Sequence, residues 1–190
     1  MMRGPDWLFV STTKCATRTM YEVLPRFGGE RVGGFHGRPT GGQTRDFTFA
    51  VCRNPLSRIV SSWWSTTQRG HDRYKFRKAS GCDEGGFPRF VEWLTQEAPK
   101  DALTMTQDDW HAGHRVDRFI KMEDMEHDFY RLPFVNSEEW NVQSPLPIVG
   151  GTVTLREPWQ EYHTPETVAM VAEWAAKDFE RFGYEVSLPC

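Results

Sequence analysis

Residues 7–10 (WLFV) are apolar at all four positions, the polar segment STTKCA follows, and from Thr17 onward Met20, Val23 and Leu24 recur at helical spacing. A run that is apolar at every position suits a strand buried on both faces, and the change of period marks the passage from strand through loop to helix. Such a junction turns backbone N–H groups and a helix start toward one point, where a phosphate-like anion is stabilised. Lys14 adds a point charge there, and Thr17 and Thr19 add hydroxyl donors. The G-x-x-x-x-G-K-[ST] spacing of a nucleoside-triphosphate loop is missing: Lys14 comes early, and no glycine occurs between Gly4 and Gly28. The stretch points to an anion other than ATP; taken alone, it also reads as an ordinary βα turn with exposed polar residues.

A second junction repeats the pattern. Residues 47–51 (FTFAV) form the next apolar run, and Arg53-Asn54-Pro55 follows at once. Asn54 suits a helix N-cap and Pro55 the first helical position, with Leu56, Ile59, Val60 and Trp63 on one face of a helix reaching about residue 68. Ser61 lies eight residues after Arg53, about two helical turns on. A guanidinium fork and a hydroxyl at that spacing can hold a second anion. Taken singly, Arg53 suits a surface ion pair and Ser61 a solvated helix face.

Charge follows the same division. Residues 1–80 carry 14 Lys/Arg against 5 Asp/Glu, whereas residues 81–190 carry 9 against 21. The basic part favours a polyanionic partner, but its cations are dispersed and match no nucleic-acid reading motif, so a compact, multiply charged small ligand fits better than nucleic acid. The length of 190 residues suits one domain, 1–190. No apolar run approaches a membrane span and the MMRGPDW start has no signal-peptide core, so a soluble, cytoplasmic protein without membrane partners is expected. Cys15, Cys52, Cys82 and Cys190 lack paired spacing and read as free thiols rather than a zinc site or disulfide framework.

Along the rest of the chain, Gly28-Gly29 ends the first helix and residues 31–38 (RVGGFHGR) form a short glycine-rich strand or turn. Residues 69–85 read as a long polar loop, and Phe90, Val91 and Leu94 place a helix over 87–97. Residues 99–115 read as irregular; the DDWH group and His114 there match no metal-ligand template. Residues 117–122 (DRFIKM) make a third strand, followed by an acidic helix start. Residues 132–151 read as connection, and Thr164-Pro165-Glu166 opens a helix whose apolar period runs to Gly183. Strands alternating with helices predict an α/β fold with a central parallel sheet flanked by helices.

These stretches together resemble the sulfotransferases that use 3'-phosphoadenosine 5'-phosphosulfate (PAPS), in particular the carbohydrate-type branch. TTKCATRT is similar to that family's 5'-phosphosulfate loop, with Thr13 at the usual proline, Ala16 at the glycine and Arg18 at one hydroxyl position. FAVCRNPLSRIVSSWW resembles the 3'-phosphate motif, with Arg53 and Ser61 at the arginine and serine that grip the ribose phosphate. RFIKMEDMEHDF and the C-terminal TPETVAMVAEWAAKDFERFGYE resemble the family's later strand and last helix, and GGFHG is similar to the histidine segment of uronosyl 2-O-sulfotransferases.

The resemblance implies a single sulfotransferase domain with a P-loop-like three-layer fold. It implies PAPS as donor, held by Lys14, Cys15, Ala16, Thr17, Arg18, Thr19, Arg53 and Ser61, with His36 and Lys14 catalytic and no metal required. Imidazole suits a base that takes a hydroxyl proton near neutral pH. The acceptor would be a hydroxyl on a carbohydrate or small molecule, with residues 69–115 as the region where acceptor recognition varies, and Arg156 as a further basic residue toward the nucleotide. A nucleotide-dependent kinase and a non-catalytic nucleotide-binding relative are the alternatives.

Overall fold

The computed structural model describes residues 1–37, 46–68, 74–135, 146–147 and 157–187. The chain forms two compact units, Met1–Arg53 with His111–Thr154 and Asn54–Trp110 with Leu155–Cys190.

The first unit is built on a five-stranded sheet of order β3-β1-β2-β4-β5. Its strands are β1 (Met2–Arg3), β2 (Trp7–Phe9), β3 (Glu30–Arg31), β4 (Phe47–Cys52) and β5 (Arg118–Lys121). β2, β4 and β5 run parallel, with Phe9 beside Phe49 and Val51 beside Ile120. The expected all-parallel sheet is corrected at its other edge: β1 is antiparallel to both β2 and β3. The short DW-preceding turn closes when Gly4 N–H donates to the Trp7 carbonyl at 2.9 Å, which folds the first residues back along β2 and makes the sheet mixed.

Among its described residues this unit holds α1 (Thr17–Val23) and a helix that follows β5 (Met125–Phe129). The core is aromatic: Trp7 stacks on Phe134 at 4.6 Å and Phe9 meets Phe49 at 5.2 Å, with Met20, Val23, Leu24 and Ile120 buried around them. The first helix tightens into a 3-10 turn, Leu24–Phe27, and ends at Gly28 in the left-handed region. Gly29 is required for space: a β carbon there would lie 2.6 Å from the Trp7 ring and 2.7 Å from the Leu24 carbonyl oxygen.

The second unit is helical among the described residues. α2 (Pro55–Gln68) starts as the sequence predicts, with Asn54 Oδ1 accepting from Leu56 N at 2.9 Å and Ser57 N at 3.4 Å. The expected loop over 69–85 is corrected: α3 (Tyr74–Ser80) and the start of α4 (Cys82–Gln96) occupy its described part. Phe76 and Cys82 give these turns their buried side. α4 bends at Gly86, whose φ of 63° and ψ of −151° leave helical space. Pro88 thereby falls in the first turn after the bend, where its missing N–H does no harm. A short helix, α5 (Gln107–His111), lies in the segment expected to be irregular. The helix after β5 is α6, and the expected single C-terminal helix is corrected to two, α7 (Pro165–Trp174) and α8 (Ala176–Phe182), separated at Ala175. Leu56, Ile59, Phe90, Leu94, Val171 and Phe179 share the core of this unit.

The buried carboxylate of Asp178 caps α5 from a distance in sequence. It accepts from Gln107 N at 2.9 Å, Asp108 N at 2.7 Å and the Gln107 side-chain amide at 3.1 Å. Thr164 and Thr167 form a reciprocal cap at the start of α7. Next to it, His163 is buried with Nε2 3.1 Å from the Leu56 carbonyl and Nδ1 3.3 Å from the Thr167 hydroxyl. Burial lowers its pKa, and the Leu56 carbonyl offsets part of that.

The unfolded chain therefore takes up this proton first. Stability from a neutral His163 is intact above the ordinary histidine value of about 6.5 and is lost as pH falls below it. Urea denaturation at pH 8 and pH 5.5 is expected to show a larger loss in wild type than in His163→Gln, and equal losses would remove His163 as the cause.

Among the described residues, no helix is long and apolar enough to cross a membrane. Cys15, Cys52 and Cys82 are buried thiols not joined to one another, and Cys15 and Cys52 donate to the Thr13 and Ile120 carbonyls at 3.6 Å.

Candidate functional site

The last ladder bond of the first unit's central strand runs from Val10 N to the Phe49 carbonyl at 2.9 Å. Beyond it the chain turns sharply around Thr12. The Thr12 carbonyl accepts from Cys15 N at 3.3 Å and from the Thr17 hydroxyl at 2.9 Å. Lys14 and Ala16 take positive φ values of 69° and 48°. Residues of left-handed conformation alternating within a turn bring successive N–H groups onto one concave side, which attracts anions.

Two further features favour negative charge at this turn. α1 begins at Thr17 with no side-chain cap on its first N–H groups and no acidic residue in its first turn. Lys14 is half-buried, Thr17 and Thr19 are buried and Arg18 is exposed. The Thr17 hydroxyl proton is directed to the Thr12 carbonyl, so the turn uses it internally.

Arg53, at the end of β4, is 8% exposed and donates from Nη1 to the Lys14 carbonyl at 3.3 Å. The parallel pairing of β2 with β4 sets this up, because it sends both strand exits to the same end of the sheet. The two sequence motifs of this unit thus meet through the hydrogen bond from Arg53 to the Lys14 carbonyl. Ser61 lies half-buried on α2, in the second unit.

His36 is carried on a turn closed by Gly37 N donating to the Gly34 carbonyl at 3.1 Å. The preceding carbonyl, that of Phe35, accepts from the Ser11 hydroxyl at 2.7 Å and the Tyr21 hydroxyl at 2.9 Å. Ser11 opens the Lys14 turn and Tyr21 lies on α1 behind it, so the histidine segment is tied to both flanks of that turn. The Phe35 ring stands edge-on to His36 and leans on Tyr21, each with centroids 4.8 Å apart. Arg31 covers the Tyr21 and Phe35 rings at 5.7 Å. Burial raises the Tyr21 pKa above its ordinary value.

Sequence reasoning singled out Lys14, His36 and Arg53 but missed the residues that hold them. Ser11 and Tyr21 belong to no motif, Thr12 opens TTKCATRT without a role of its own there, and His111 stands only in the irregular DDWH group. In the structure His111 Nε2 lies 2.8 Å from the Thr12 hydroxyl, across 99 positions of sequence. Among the described residues no group of three or more His, Cys, Asp or Glu is placed to share a metal ion. Arg156 and Cys190 lie outside the described residues.

The model of the sulfotransferase family matches residues 39–132, just under half of the chain. That stretch contains Arg53, Ser61 and β5, and it begins after the Lys14 turn and His36. The match supports sulfuryl transfer in general, and with it a transferase using a hydroxyl-bearing acceptor. No curated protein and no solved structure gives a significant match.

Proposed function

We propose that the chain moves a sulfuryl group from PAPS to an acceptor hydroxyl by in-line displacement, on a P-loop-like scaffold. The observation that carries this reading is the Arg53 bond to the Lys14 carbonyl at 3.3 Å. A donor with a 5'-phosphosulfate and a 3'-phosphate needs two cationic turns side by side, and these two leave neighbouring parallel strands. The family match, which covers the Arg53 motif, supports the sulfuryl chemistry.

In this reading the N–H groups of residues 14–19 and the Lys14 ammonium hold the 5'-phosphosulfate. Arg53 holds the 3'-phosphate, with Ser61 as the resemblance assigns it. The acceptor oxygen attacks sulfur from the side opposite the leaving group, and its proton passes to His36. The new O–S bond forms as the bond from sulfur to the bridging oxygen breaks. The electron pair stays on that oxygen, and adenosine 3',5'-bisphosphate leaves. Lys14 and the N–H groups stabilise the charge that grows on the bridging and sulfuryl oxygens. The acceptor hydroxyl belongs to a carbohydrate or a small molecule, which a panel of glycans, phenols and alcohols with labelled donor would distinguish.

Calorimetry tests the donor assignment without an acceptor. Wild type is expected to bind adenosine 3',5'-bisphosphate without magnesium and more tightly than Mg-ATP. Arg53→Ala is expected to weaken that binding about 10- to 100-fold, the range for losing charge-assisted hydrogen bonds to a phosphate. Equal affinities for Arg53→Ala and wild type would overturn the placement of the 3'-phosphate.

A further inference from the structure

The Lys14 turn is costly to hold. Left-handed backbone at a residue with a β carbon is disfavoured by about 1–2 kcal/mol each, and the turn has two such residues, Lys14 and Ala16. Strained turns of this kind persist only where surrounding contacts over-determine them. The centre of this one is Thr12, whose carbonyl accepts from both Cys15 N and the Thr17 hydroxyl. What fixes Thr12 therefore fixes the direction of the N–H groups after it.

We infer that His111 is a positioning residue for the donor site, acting through Thr12. Its Nε2 shares a hydrogen bond of 2.8 Å with the Thr12 hydroxyl, and the imidazole is 1% exposed. The ring stands edge-on to Phe119 at 5.1 Å. Phe119 lies on β5 beside Ala50 of β4, so the ring is referenced to the sheet from which the Lys14 turn departs. The turn is thereby held at Lys14 by Arg53, next after β4, and at Thr12 by His111, packed on Phe119 of β5. The inference rests on the PAPS reading, and it gives His111 a role in donor affinity without contact to the donor.

The test is calorimetry with adenosine 3',5'-bisphosphate on wild type, His111→Ala, His111→Gln, Thr12→Val and the His111→Ala/Thr12→Val double variant. His111→Ala is expected to bind about tenfold more weakly, as for loss of one buried hydrogen bond. His111→Gln, whose amide reaches the place of Nε2, is expected to recover most of the affinity. The double variant is expected to be no weaker than either single one, since both remove the same bond. Amide exchange in the free protein is expected to quicken at residues 13–17 in His111→Ala and to stay at the wild-type level in the other strands of the sheet.

Wild-type affinity in His111→Ala, additive losses in the double variant, or no recovery in His111→Gln would each overturn the inference while leaving the donor assignment standing. If His111→Ala does not fold, Thr12→Val decides, and unchanged affinity there overturns it. Failure of wild type itself to bind the nucleotide would overturn the donor assignment and this inference together.

Discussion

Alanine at Lys14 is expected to lower turnover about 10³-fold, the scale of losing one fixed donor aimed at developing charge. Both lysine and alanine carry a β carbon, so the strain of φ 69° at this position is the same in the variant. The backbone carbonyl that accepts from Arg53 is also retained. The comparison thus reports the ammonium, with melting temperature as the control for an unchanged fold. His36→Ala is expected to cost about 10²- to 10⁴-fold, the usual worth of a positioned base. The Phe35 carbonyl and its two hydroxyl partners remain in that variant, so its turn stays anchored. Transfer of labelled sulfuryl to an accepted hydroxyl compound is the measurement, and wild-type turnover in both variants would overturn the catalytic assignment.

Asp178→Ala is expected to cost about 3 kcal/mol or more of stability, because it leaves buried donors without their charged acceptor. The N–H groups of Gln107 and Asp108 and the Gln107 amide all turn to this one carboxylate. For a chain of this size the loss corresponds to a melting temperature lower by about 10 °C. Asp178→Asn, which keeps an acceptor oxygen without the charge, is expected to fall between. A melting temperature equal to wild type in the alanine variant would show that the start of α5 is held by other groups.

The parts of this fold that could be read in advance are those where burial is written into consecutive residues. Trp7, Leu8 and Phe9 are all buried, as are Phe49, Ala50, Val51 and Cys52, and a strand covered on both faces announces itself as an unbroken apolar run. β1 and β3, of two residues each, are too short to show any period, which hid the antiparallel edge. α3 escaped because its described burial rests on Phe76 and Ser80 in a stretch otherwise rich in charge. The division between α7 and α8 left no trace in hydropathy, since Val171, Ala175, Phe179 and Phe182 continue one apolar stripe through it.

The candidate site divides in the same way. Lys14, His36 and Arg53 stand out in the sequence as candidates because cations and imidazole beside strand exits and glycines suggest chemistry. The groups that orient them were not, because their pairings exist only in three dimensions. Ser11 and Tyr21 act on a main-chain carbonyl, which no side-chain pattern encodes. His111 meets Thr12 across 99 positions of sequence, and the DDWH group that contains it matches no ligand template. Ala16 shows the opposite case: the loop that TTKCATRT resembles has glycine there, and the positive φ that glycine would adopt freely is taken here by alanine.

Neither unit is continuous along the chain, and this shapes how it emerges from the ribosome. β4 ends at Cys52, and its outer neighbour β5 begins at Arg118, about 65 residues later. At ordinary synthesis rates of about 5–20 residues per second, that edge stays open for several seconds. During this interval an apolar ribbon offers its free backbone groups to any passing strand.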